Sequence, residues 1–127
     1  MFLYDLFPPD LIVTNLIAAD KKEVFREMAG RFCQTMKNCT VEGILEALWD
    51  RESRMTTGIQ KGIAIPHGKT GVLDRTCGIL GISQKGIAYN SLDGHPVHLI
   101  FMIIGPASDS DEYLEILKRL LLLLGFP

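Results

Sequence analysis

Apolar and polar positions along the chain alternate in two distinct rhythms. After an opening that holds Pro8-Pro9 and a short β-prone run, Leu11-Ile12-Val13, the first helical rhythm begins. Asp20 is placed to cap a helix, with Glu23 three residues on as its capping-box partner. Val24, Phe25, Met28, Ala29, Phe32 and Cys33 then form the stripe of an amphipathic helix. Thr40 is a second cap candidate, and Ile44, Leu45, Leu48 and Trp49 form a second stripe that ends near Asp50 or Arg51.

Beyond Arg51 the helical rhythm disappears, and Gly58, Gly62, Gly68 and Gly71 punctuate short β-branched pieces. Ile63-Ala64-Ile65 reads as a short strand closed by Pro66, which has no N–H to give to a ladder. Gly78 to Ser83 and Gly86 to Tyr89 read as two further short strands, and Asp93-Gly94 as a turn. Val97 to Ile104 is the most apolar strand, which places it centrally. A last helix is expected after Asp109 and Ser110, with Glu112 as the capping partner of Asp109. Leu114, Leu117, Leu120, Leu121 and Leu124 are expected to line its buried face. The order of strand, two helices, several strands and one helix predicts an α/β fold, a layered mixed sheet flanked by helices.

Composition narrows the class. At 127 residues, and with no linker, repeat or low-complexity tract, residues 1–127 are expected to form one domain. Thirteen basic against fifteen acidic residues give a net charge of −2, without the basic excess of a nucleic-acid binder. Leu99 to Ile104 and Leu120 to Leu124 are the longest apolar runs, far short of the ~20 residues that span a bilayer. The N-terminus does not read as a signal peptide. Cys33, Cys39 and Cys77 show no paired spacing and read as reduced thiols of a cytosolic protein. The apolar run before Leu124-Gly125-Phe126-Pro127 suggests a last helix that is cut short.

Three histidines are candidates for chemistry, because imidazole titrates near neutrality. His67 follows Ile65-Pro66 and precedes Gly68, so a strand end presents it while the main chain turns away. That geometry alone suits a hydrogen-bonded, partly buried histidine as well as a reactive one. His95 and His98 point to opposite faces of an extended segment and cannot jointly clamp a metal. His95 is expected in solvent, and His98 either in the core or beside His67. No ligand spacing for zinc is present, and neither a metal nor a cofactor is expected. Arg51 and Arg54 sit where cations complement a helix dipole, or where a guanidinium fork grips phosphate. Thr56-Thr57-Gly58 adds hydroxyl donors to the same region. The phosphate-binding P-loop pattern and the G-x-S-x-G elbow are both absent.

Arg51-Glu52, Thr56-Thr57-Gly58-Ile59 and Gly62-Ile63-Ala64-Ile65-Pro66-His67-Gly68-Lys69, in that order, resemble one known family. They are similar to the phosphorylation-site region of type-2 enzyme IIA domains of the bacterial phosphoenolpyruvate-dependent phosphotransferase system, which includes fructose, mannitol and nitrogen-regulatory members. The Asp20-Lys21-Lys22 helix start, Gly86-Ile87 and the Asp93 to Phe101 segment match as well. The resemblance runs from about Leu11 to Leu124. It implies that His67 accepts a phosphoryl group from a histidine phosphocarrier protein, with Arg51 beside it and Thr56, Thr57, Tyr113 and His98 in support. A neutral imidazole nitrogen is the nucleophile such a step needs, with positive charge and donors around the phosphoryl oxygens.

The chain departs from the family pattern in three places. Tyr113 precedes Leu114 where members carry a second histidine, Gln60 stands where glycine is common, and the last helix lacks the usual further turns. The Tyr113 substitution and the lone IIA-sized chain point to a cytoplasmic, stand-alone nitrogen-regulatory protein. Its phosphorylation would then act as a charge switch on a regulatory target. The alternative is a fructose/mannitol-type component that passes the phosphoryl group to a IIB domain.

Overall fold

The computed structural model describes residues 3–108 and 111–126, with the side chains of Leu3 and Tyr4 left out. A short helix α1 (Leu3–Leu6) and a single 3-10 turn at Pro9–Leu11 lead into β1 (Ile12–Val13). Two helices follow, α2 (Lys21–Met36) and α3 (Val41–Glu52). Four strands come next: β2 (Ile63–Ala64), β3 (His67–Thr70), β4 (Cys77–Ile87) and β5 (Val97–Pro106). Helix α4 (Asp111–Leu123) ends the order.

The helices form where the stripes place them. Asp20 caps α2 by accepting from the Glu23 amide at 2.8 Å, and Glu23 reaches back to the Ala19 amide at 2.8 Å. Thr40 caps α3 through the Gly43 amide at 3.1 Å. Val24, Phe25, Met28, Ala29 and Phe32 of α2 pack with Ile44, Leu45 and Leu48 of α3 against the sheet. Trp49 sits at the rim of this layer, 38% exposed, with its ring centroid 4.8 Å from that of Phe25. The turn between the helices brings Cys33 Sγ and Cys39 Sγ to 2.8 Å, a juxtaposition that their spacing does not signal. Burial and the neighbouring Cys39 push the Cys33 thiol up to about 12, so it stays protonated.

The five strands form one mixed sheet in the order β1-β4-β5-β2, with β3 also on β5. Strands β4 and β5 are antiparallel, and the remaining pairs are parallel. On β5, Ile100, Met102 and Ile104 face the α2–α3 layer, while Ile103, Leu99 and Phe101 face the α4 layer. Both faces are covered, which is why this strand reads as continuously apolar. The two strands expected between Gly78 and Tyr89 are one strand, Cys77–Ile87, with a register shift between Ile82 and Ile87. Gly86 bends there with φ +91°, its amide held by Ser83 Oγ at 3.0 Å.

The chain does not turn away after His67. It continues as β3, with His67 opposite Ile103 on β5. Gly68 serves the packing of α3 instead: a Cβ there would run into the backbone carbonyl of Ala47, so only glycine lets the helix lie this close to the strand.

Helix α4 buries Tyr113, Ile116 and Leu120, with Leu117, Leu121 and Leu124 along the flank. Leu114, expected inward, is 61% exposed. In a helix this rich in leucine, the strands beneath choose the buried face. The cap expected at Asp109 lies outside the described residues. At its other end α4 closes on a Schellman arrangement, with Gly125 at φ +88° and the Phe126 amide donating to the Leu121 carbonyl at 2.8 Å. Phe126 folds back into the core layer beneath the helix.

Candidate functional site

Three chain segments meet at the start of β3. The last turn of α3 carries Arg51 and Glu52 there. The following loop runs back along β2, where the Ile65 amide donates to the Thr57 carbonyl at 3.0 Å and the Ile59 amide to the Ile63 carbonyl at 3.0 Å. Helix α4 supplies the third wall. The result is a cleft of about 320 Å³ lined by Arg51, Met55, Thr56, Thr57, Ile59, Ile65, His67, Leu92, Leu117 and Leu121. His67 is half-buried within it.

Pro66 sets the orientation of the imidazole. Its carbonyl accepts from the Ile103 amide at 3.0 Å, which ties this stretch to β5. His67 Nδ1 then lies 2.8 Å from the Ile65 carbonyl oxygen. A carbonyl only accepts, so Nδ1 carries the proton and Nε2 keeps its lone pair. Burial is the main cause that lowers the His67 pKa below 6.5; the Ile65 carbonyl opposes it, the Arg51 charge adds to it, and the Glu52 charge opposes it. At neutral pH the ring is therefore a neutral nucleophile with a fixed tautomer.

This has a consequence for pH. Between the lowered midpoint and 6.5, the unfolded chain binds the proton that the folded state refuses. The stability from this group is complete above 6.5 and is lost as pH falls below it. In an NMR titration the His67 midpoint should lie below 6.5; a midpoint at or above that value contradicts the burial argument.

Arg51 supplies the positive charge of the cleft, and its Nη1 donates to the Met55 carbonyl at 2.9 Å, bracing the guanidinium against its own loop. Tyr113 does not line the cleft, but its ring centroid lies 6.2 Å from that of His67. The Tyr113 ring lies over Gly105, with Lys69 Nζ 5.1 Å from its centroid. Burial pushes the Tyr113 phenol up to about 12, with Arg51 pulling the other way, so the residue is uncharged at neutral pH.

His98 stands apart from this group. It occupies β5 five positions before Ile103, the residue opposite His67, which is roughly 16 Å along a strand. It is exposed, and its Nδ1 is bonded to the Ser83 carbonyl at 2.8 Å. It is thus neither a core residue nor a neighbour of His67. His95 is exposed on the turn.

Behind the cleft lies a buried polar network in which Thr57, expected to support the phosphoryl group, is joined by Glu52, Lys21 and Tyr89, to which the sequence assigns no role. Glu52, 6% exposed, accepts from Lys21 Nζ at 2.9 Å, from the Thr57 amide at 2.8 Å and from Thr57 Oγ1 at 2.6 Å. Tyr89 OH lies 2.7 Å from Thr57 Oγ1, and Lys21 Nζ lies 4.6 Å from the Tyr89 ring centroid. Burial and the Glu52 charge hold the Tyr89 phenol well above its ordinary range, so it remains a donor. Only the adjacency of Glu52 to Arg51 hints at this network in the sequence. Among the described residues, no cluster of three or more His, Cys, Asp or Glu is arranged to hold a metal, and no helix is long and apolar enough to cross a membrane.

The family described as "Phosphoenolpyruvate-dependent sugar phosphotransferase system, EIIA 2" matches residues 5–125. The chain is 37% identical over 124 residues to the fructose-specific EIIABC component of Bacillus subtilis, covering 98% of this chain but only 20% of that protein. It is 32% identical over 124 residues to a nitrogen regulatory protein of Bradyrhizobium diazoefficiens, covering 98% of this chain and 80% of that one. Nitrogen regulatory protein IIA-Ntr of Neisseria meningitidis superposes with a TM-score of 0.85 at 28% identity, covering 93% of this chain and 80% of the other. The complex of the mannitol enzyme IIA with its phosphorylated IIB from Escherichia coli shares the fold, with a TM-score of 0.74 at 20% identity over 94% of this chain and 83% of that one. The chain belongs to the EIIA 2 family of the phosphoenolpyruvate-dependent sugar phosphotransferase system.

Proposed function

We propose that His67 Nε2 accepts a phosphoryl group from a phosphorylated histidine phosphocarrier protein. The observation that carries this is the bond from Nδ1 to the Ile65 carbonyl, which leaves Nε2 as the nucleophile in a cleft beside Arg51. A new N–P bond forms at Nε2 as the donor's N–P bond breaks, and the electron pair of that bond returns to the donor imidazole. The proton stays on Nδ1 throughout, hydrogen-bonded to the Ile65 carbonyl. Arg51 meets the charge on the equatorial phosphoryl oxygens.

The reading continues to a cytoplasmic, nitrogen-regulatory role, in which about −2 of added charge gates binding to a regulatory target. Tyr113 supports it: the neutral phenol supplies no second positive charge opposite His67, where onward transfer would use one. The nitrogen-regulatory relatives support it too, one of them matched over four-fifths of its length. The alternative is a sugar-specific component handing its phosphoryl group to a IIB domain, as the fructose-specific relative and the mannitol complex suggest.

Incubation with phosphoenolpyruvate, enzyme I and histidine phosphocarrier protein tests the reading. It should give an acid-labile, alkali-stable label on His67, and absence of label overturns it. Adding a fructose- or mannitol-type IIB domain separates the two roles: rapid transfer selects the sugar component, and retention selects the regulator. Arg51→Ala should slow labelling by about 10²–10³-fold, the cost of removing one preorganised transition-state donor. Its melting temperature should change little, since the side chain's bond to Met55 lies in an exposed loop. A melting shift with unchanged labelling would contradict this role.

A further inference from the structure

Two adjacent threonines line the cleft, and their hydroxyls are committed in opposite ways. Thr57 Oγ1 lies 2.6 Å from Glu52 Oε1, which can only accept, so the Thr57 proton goes to the carboxylate. Tyr89 OH, 2.7 Å away, then donates to the same oxygen. The Thr57 hydroxyl has no proton left for a ligand.

At Thr56 both neighbours are donors. Lys21 Nζ and the Gly58 amide each approach Thr56 Oγ1 at 3.2 Å. They occupy its two lone pairs, and its own proton has no acceptor among the described residues. One of the two donors is an ammonium, 14% exposed and anchored on Glu52, so the hydroxyl is polarised as a donor and held in place. Lys21 itself does not line the cleft, whereas Thr56 does, together with His67 and Arg51.

We propose that Thr56, and not Thr57, is the hydroxyl that donates to the phosphoryl group on His67, and that Lys21 acts through it as a positioning residue. This rests on His67 being the acceptor. Thr56 gives a directed neutral donor to one phosphoryl oxygen, complementing the charge of Arg51. Glu52 keeps the ammonium aimed at Thr56 while accepting the hydrogen bond from the Thr57 hydroxyl.

The test is rapid-quench labelling from phosphorylated histidine phosphocarrier protein, followed by the spontaneous hydrolysis rate of the phosphorylated protein. Thr56→Val should slow acceptance by about 10- to 100-fold, the size of one hydrogen bond to a charged group. Thr56→Ser should return it to within about threefold of the parent, because the serine hydroxyl restores the donor. Hydrolysis of the phosphorylated form should also change in Thr56→Val and recover in Thr56→Ser, a readout that a purely structural role would leave unmoved. Lys21→Gln should slow the parent protein but add little on a Thr56→Val background, as two residues acting through one contact are non-additive. Should Thr56→Val fail to fold, Thr56→Ala against Thr56→Ser makes the same comparison. A parent protein that takes no label refutes the His67 reading itself. A labelled parent with Thr56→Val at the parent rate, or without recovery in Thr56→Ser, overturns the Thr56 proposal. Full additivity of Lys21→Gln overturns the role of Lys21.

Discussion

His67→Ala protein should take no phosphoryl label from phosphorylated histidine phosphocarrier protein while keeping its fold. The proposed nucleophile is a single nitrogen, and no other imidazole stands near: His98 is roughly 16 Å along β5 and His95 is on an exposed turn. The strand itself does not depend on the ring. Its place in the sheet is set by main-chain pairing of His67–Thr70 with Ile103–Pro106. The losses are the Nδ1 bond to Ile65 and the contact with the Tyr113 ring, which together should lower stability by about 1–2 kcal/mol. Labelling and a urea melt on the same preparation check both halves. Label of unchanged acid lability in this variant would place the acceptor elsewhere.

Glu52→Ala should have the opposite profile, a large loss of stability from a residue that touches no substrate. Removing one partner of a buried ion pair costs about 3–5 kcal/mol, because the other charge is left buried and unpaired. Here the Thr57 amide and hydroxyl lose their acceptor as well. Against a typical total of 5–15 kcal/mol, that loss brings the protein close to unfolding at physiological temperature. The urea midpoint measures it, and a loss below about 1 kcal/mol would show that the network is dispensable. Replacing Lys21 by Met in the same protein should recover only part of the loss. It removes the orphaned charge, but it does not satisfy Thr57. The exposed pairs Arg26–Glu42, Arg54–Asp50 and Arg119–Glu115 offer a contrast, since solvent screening leaves each worth little.

Much of the framework was legible from local pattern. The stripes and caps of α2 and α3 and the apolar β5 each depend on neighbours within a few residues, and the structure places them as expected; the Arg51 to Lys69 block departs after His67, where the chain continues as β3 instead of turning away. The pattern divides β4 in two because Gly86 marks a bulge within one strand and not a break between two. The buried face of α4 differs from the pattern at Leu114, which is exposed, because a leucine-rich helix offers several nearly equal faces. Sequence neighbours do not decide between them. The core that receives the helix does.

By itself, the sequence determined which groups are available: an imidazole held after a proline, a permanent cation at a helix end, two threonines and a carboxylate beside them. These are covalent facts, and the order of the block ties them to one family. Only the tertiary structure decided which of them meet. Lys21 reaches Glu52 across 31 residues and Thr56 across 35, and Tyr89 reaches Thr57 across 32. At such separations, pairing follows from how α2, α3 and the sheet pack. The donor and acceptor inventory is the same in any chain of this composition. Its direction, with Thr57 Oγ1 donating to Glu52 and Thr56 Oγ1 accepting from Lys21 and the Gly58 amide, is a property of the fold.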